Sequence, residues 1–138
     1  MTTVQEKNKA TIARFNSEFI QNGREAVWNE TIAPEFVNRS AAEGAQDRDS
    51  SFFWFTKVLR PAFPDLIVTL HDQVAEGDTV VTRKSYSATH RGPFLGVPPT
   101  GKTVNFSVID IIRLEDGKYV EHWANPDLFG LLQQLNAD

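Results

Sequence analysis

The chain has 138 residues, 41% of them hydrophobic and 23% charged, with a net charge of −4. That length is expected to bury one full core in a single domain spanning residues 1–138, and the composition excludes a disordered chain. Acidic and basic residues are interspersed, so no basic stripe is present to neutralise phosphates, and nucleic acid is not an expected partner. No run approaches the ~18 apolar residues of a membrane span, and Met1-Thr2-Thr3 opens into a polar helix rather than a signal peptide, so no membrane partner is expected and the cytoplasm is the expected location. Cysteine is absent, which excludes disulfides, thiolate catalysis and thiolate metal sites.

Ile12, Phe15 and Phe19 recur at i, i+3, i+7 and predict an N-terminal amphipathic helix, with Asn22-Gly23 as its left-handed stop. A short second helix carries Ala26, Trp28 and Ile32 and stops at Pro34; Phe36-Val37-Asn38-Arg39 reads as a brief extended piece. A third helix starts near Asp47 or Asp49, both good N-caps, buries Phe52, Phe55 and Leu59, and ends at Pro61 and Pro64.

The period then changes from helix to strand. Leu66, Val68, Leu70 and Val74 alternate with more polar neighbours, and Glu76-Gly77-Asp78 turns the chain into a second strand from Thr79 to His90. After a Gly- and Pro-rich loop, residues 91–101, a third strand runs from Thr103 to Leu114 and a fourth from Lys118 to Ala124. Asn125-Pro126-Asp127 predicts a last helix with Asn125 as its cap, packing through Leu128, Leu131, Leu132 and Leu135. Helices, then a twisted antiparallel sheet, then a closing helix make an α+β fold with helices on one sheet face.

In the third strand, Val104, Phe106, Val108, Asp110, Ile112 and Leu114 share one face, so Asp110 is a lone carboxylate on the most apolar face of the chain. Ionised and unpaired it would be prohibitively costly to bury, so a partner is required. A three-residue turn at Glu115-Asp116-Gly117 sets Asp110 opposite His122 and Ile112 opposite Val120; a two-residue Asp116-Gly117 turn would instead oppose Ile112 to Glu121. The first register keeps apolar residues together and is the expected one. The Asp110–His122 pair has two readings, an inert buried pair or an acid–base site. The large aromatics of the covering helices, among them Phe15, Trp28, Trp54 and Phe55, favour a small-molecule cavity around it. His90, beside the Gly/Pro loop, and Asn38 are weaker candidate substrate contacts. The three His are too scattered for a metal motif and no phosphate loop is present, so neither metal nor cofactor is expected.

Residues 89–101 (Thr-His-Arg-Gly-Pro-Phe-Leu-Gly-Val-Pro-Pro-Thr-Gly), Val108-Ile109-Asp110-Ile111-Ile112-Arg113-Leu114-Glu115-Asp116-Gly117-Lys118 and Glu121-His122-Trp123, with Phe63-Pro64-Asp65-Leu66 and Ala75-Glu76-Gly77-Asp78, together resemble the SnoaL-like polyketide cyclase family over nearly the whole chain. The resemblance implies a cone-shaped, strongly curved antiparallel sheet wrapped by N-terminal helices and a C-terminal helix, the nuclear-transport-factor-2-like, cystatin-like α+β barrel. It implies a homodimer through the outer sheet face, which Ile109, Ile111 and Trp123 suit. It also implies acid/base proton transfer on a hydrophobic carbonyl compound, a polyketide or its ester, with Asn38 and His90 near the pocket; the position of Asp110 is His in the characterised cyclases. The lone carboxylate on the apolar face makes Asp110 the expected acid or base, with His122 as its charge and hydrogen-bond partner. The carboxylate used by characterised cyclases near the end of the last strand falls at Ala124 here. Since the same fold carries isomerases, dehydratases, hydroxylases, hydrolases and non-catalytic binders, a binding protein without turnover stands as the alternative. An epoxide-hydrolase-like reading would need Arg83 or Arg113 beside Asp110, on the face opposite to the one strand parity gives them.

Overall fold

The computed structural model describes residues 2–138. Helix α1 (Val4–Arg14) begins with a reciprocal cap in which the Thr3 side chain and Glu6 bond each other's backbone N–H. It widens into a π-helical stretch, Phe15–Gln21, and stops at Gly23, whose φ of +75° lets the chain reverse. Helix α2 (Glu25–Thr31) leads straight into strand β1 (Ile32–Asn38). Helix α3 (Arg48–Phe53) is capped by Asp47 and also widens, through π-helical Trp54–Leu59, before the short turn α4 (Arg60–Ala62). Strands β2 (Ile67–Glu76), β3 (Thr79–Thr89), β4 (Thr103–Glu115) and β5 (Lys118–Pro126) follow, then helix α5 (Leu128–Leu135).

The five strands form one sheet in the order β1-β5-β4-β3-β2. Neighbours pair antiparallel except β1, which runs parallel to β5, so the sheet is mixed rather than antiparallel throughout. It is also open, with β1 and β2 as its edges, and does not close into a barrel. Burial alternates along β3 and β4, and the inner face packs against the helices through Ile12, Phe19, Val27, Trp28, Phe63 and Leu131, all almost fully buried. The result is an α+β architecture with the helices packed on one face of the sheet.

Two local expectations are corrected. Asp127, not Asn125, caps α5, because Pro126 still belongs to β5; the Asp127 carboxylate accepts from the Gly130 N–H at 2.9 Å. The β4–β5 turn has two residues, not three: Glu115 pairs with Lys118, and Asp116 and Gly117 both hold positive φ, 50° and 76°, as a type I′ turn requires. A bulge at Val120 then shifts the register, so that Arg113 pairs with Glu121, Ile112 with His122 and Asp110 with Ala124. The bulge buries Tyr119 and Val120 together and returns Glu121 to the outer face, where it meets Arg113 at 2.6 Å and Arg39 at 3.0 Å.

Candidate functional site

Strand parity builds the site from three neighbours. Strand β3 turns Val80, Thr82, Lys84, Tyr86 and Ala88 inward; β4 turns Phe106, Val108, Asp110 and Ile112 inward; β5, after its bulge, turns His122 and Ala124 to the same side. Both π-helical stretches face them, one bringing Phe15 and Asn16, the other Trp54 and Phe55. Between sheet and helices lies a cavity of about 190 Å³ with mainly aromatic and aliphatic walls. Placing π-helical turns against a cavity is a recurrent feature of functional sites.

The titratable side chains in this wall are Lys84, Tyr86, Asp110, Tyr119 and His122. Lys84 Nζ lies 2.9 Å from Asp110 Oδ2 and donates to Asn16 Oδ1 at 2.7 Å, with the Tyr86 ring centroid 5.3 Å away. Asn16 is itself anchored, its amide donating to the Ile12 carbonyl at 2.9 Å. The side chains of Lys84 and Asp110 are only 3% and 5% exposed. Burial opposes the Lys84 ammonium, but the negative charges that Tyr86 (once ionised) and Asp110 place beside it outweigh burial, and Lys84 titrates above its ordinary value.

His122 Nε2 is 4.0 Å from the same Asp110 oxygen, beyond hydrogen-bond reach, and its ring stacks on Phe36. Burial pushes His122 down to about 4 and Lys84 lowers it too, with Asp110 opposing both, so the imidazole is neutral at pH 7. The buried pair expected from the sequence therefore has a different cation: Lys84, not His122, is the charge and hydrogen-bond partner of Asp110. Burial first, then Asp110 and Tyr86, hold the Tyr119 hydroxyl well above its ordinary value, so it stays protonated. Among the described residues, three buried polar atoms of cavity-wall side chains have no partner: Asp110 Oδ1, the Tyr119 hydroxyl and Trp28 Nε1. One accepts, one donates, and the hydroxyl does either.

Of the residues singled out from the sequence, Asp110, His122, Phe15, Trp54 and Phe55 line the cavity; His90 and Asn38 do not. His90 is buried as a loop anchor: its Nδ1 accepts the Thr100 backbone N–H at 3.2 Å and lies 3.0 Å from the Thr100 hydroxyl. The ring packs 5.7 Å from that of Phe63. Asn38, in register with His122, uses its side chain to accept the Ser40 N–H at 3.0 Å in a local turn. Arg83 and Arg113 face outward, paired to Asp72 and to Glu121 and Glu115. Sequence reasoning missed Lys84, Asn16, Tyr86 and Tyr119. The signal for Lys84 was its parity with Val80, Tyr86 and Ala88, which puts a basic residue in the inward set of one strand. Among the described residues no cluster of His, Asp and Glu has the makings of a metal site.

A model of the SnoaL-like polyketide cyclase family matches residues 10–135. The chain belongs to that family. The nogalonic acid methyl ester cyclase of Streptomyces nogalater is 26% identical over 126 residues, 90% of each chain. A SnoaL-like family protein of Jannaschia sp. CCS1 superposes with a TM-score of 0.88 at 29% identity, covering 100% of this chain and 97% of that one. AclR of Streptomyces galilaeus, a candidate hydroxylase, superposes with a TM-score of 0.82 at 29% identity, covering 95% of this chain and 82% of its own.

Proposed function

We propose that this SnoaL-like protein is an enzyme that moves a proton on a hydrophobic carbonyl compound, a polyketide or its ester, with Asp110 as the base. The observation that carries the reading is the free oxygen of Asp110. Its Oδ2 is held by Lys84 at 2.9 Å, while Oδ1 of the same cavity-lining side chain has no partner among the described residues. Removal of a proton α to a carbonyl needs such a base and a donor for the enolate oxygen. Tyr119 and Trp28 each carry an unpartnered donor, and a protonated Tyr119 suits that role. The aromatic walls exclude water and stack a planar ligand. Phe15, Trp54 and Phe55 are the binding surface in this reading, and neutral His122 is a second acceptor.

A second reading, ligand binding without turnover, is favoured by Ala124. It lies directly opposite Asp110 and lines the cavity, and the resemblance places the carboxylate of characterised cyclases at this position. Steady-state kinetics separate the two. Given a substrate found among aromatic polyketide esters and polycyclic ketones, Asp110→Asn should lose at least ~100-fold in kcat with little change in affinity. Binding without turnover by the parent protein would instead support the second reading.

The outer sheet face, where Trp123 pairs with Ile111 beside half-exposed Ile109, suits a homodimer contact.

A further inference from the structure

We infer that the Lys84–Asp110 pair makes the cavity a charge filter, admitting uncharged ligands that carry a hydrogen-bond donor and rejecting carboxylates. The inference rests on the cavity being a ligand site, as proposed above. Every charge in the wall is accounted for. Among the described residues Lys84 is the wall's sole cation, and its ammonium is already engaged by Asp110 Oδ2 at 2.9 Å and Asn16 Oδ1 at 2.7 Å. Its remaining side faces the Tyr86 ring. His122 packs on Phe36 and is neutral, and Tyr86 and Tyr119 are protonated phenols at pH 7.

A bound carboxylate would thus lose its water, find no free cation among the described residues, and lie beside the ion-paired Asp110, whose buried Oδ1 has no partner there. An unpaired buried charge next to a like charge is heavily disfavoured. A neutral phenol, enol or alcohol of the same shape meets the opposite situation, because its O–H donates to that oxygen and satisfies an otherwise orphaned acceptor. Its carbonyl, where it has one, is left for Tyr119 or Trp28. Rejection of the acid and recognition of the neutral molecule come from one oxygen atom.

Calorimetric titration at pH 7 with 2-naphthol and 2-naphthoate tests this without needing the natural substrate. The parent protein should bind 2-naphthol at least tenfold more tightly. Asp110→Asn, which keeps the shape but frees the Lys84 charge, should reverse the preference, and Asp110→Asn with Lys84→Met should abolish the reversal. Equal or tighter binding of 2-naphthoate by the parent overturns the filter, and that comparison stands even where a variant does not fold. An unchanged preference in a folded Asp110→Asn overturns it as well. Saturable binding of neither compound overturns the ligand-cavity reading and the filter with it. Because turnover is not measured, failure of the filter leaves the proton-transfer reading intact, and absence of turnover leaves the filter intact.

Discussion

Lys84 and Asp110 meet across the β3–β4 pair at 2.9 Å, on the inward face of a sheet whose other inward residues are mostly apolar. A buried ion pair is weak evidence of net stability, but removing one partner strands a charge. Lys84→Met should therefore destabilise the protein by about 3–5 kcal/mol, and Lys84→Met with Asp110→Leu should recover much of that loss. Urea denaturation of the parent and the two variants checks this. Single and double variants of equal stability would show that the pair does not hold a buried charge.

His122 sets a pH dependence of defined sign. Its folded pKa of about 4 lies below the ordinary 6.5, so the unfolded chain takes up the proton first. The contribution is fully present above pH 6.5 and is lost as pH falls toward 4, amounting to about 3 kcal/mol. His122→Phe, which keeps a ring against Phe36, should lose that much less stability than the parent between the two pH values. Parallel stability curves would contradict the neutral, buried imidazole.

The loop after β3 is seated by Gly92, where a Cβ would come within 2.5 Å of the Pro61 carbonyl oxygen. Backbone at that distance cannot yield as a side chain does, so Gly92→Ala should destabilise by about 1–3 kcal/mol. Thermal unfolding measures it. Phe94 and Leu95 of the same loop line the cavity, so ligand affinity should fall in parallel. A variant as stable as the parent would mean the loop is not held against the end of α4.

Trp123, 36% exposed, and Ile109, 47% exposed, lie on the outer sheet face. Light scattering at micromolar concentration should give a dimer mass for the parent and a monomer mass for Trp123→Lys. A monomeric parent would remove the outer face as an interface.

The faces of β4 were legible because alternation of period two leaves no freedom once one face is apolar. His122 reached the expected side through different geometry. A two-residue turn plus a bulge at Val120 carries the register an even number of residues beyond that of the expected three-residue turn, so parity survived while the pairings did not. The bulge left no local mark except the two successive apolar residues Tyr119 and Val120, both of which end up buried. Lys84 was not legible as the partner of Asp110, because β3 and β4 are joined by the long loop 91–101, whose sequence fixes no register. Buried lysine is rare enough that only a known partner justifies expecting it. His90 and Asn38 flank the right elements, yet His90 Nδ1 and Asn38 Oδ1 accept backbone N–H groups of neighbouring turns, and neither residue lines the cavity.

In the proposed reaction Asp110 removes a carbon-bound proton from a ligand in the cavity. Its most direct test is hydrogen–deuterium exchange at the α-carbon of a bound aromatic β-keto ester in D₂O, followed by NMR for the parent and for Asp110→Asn at ligand saturation. Exchange should be at least ~100-fold faster with the parent, with both proteins binding the ester comparably. Equal exchange rates at equal occupancy would contradict it and leave the carboxylate a structural partner of Lys84.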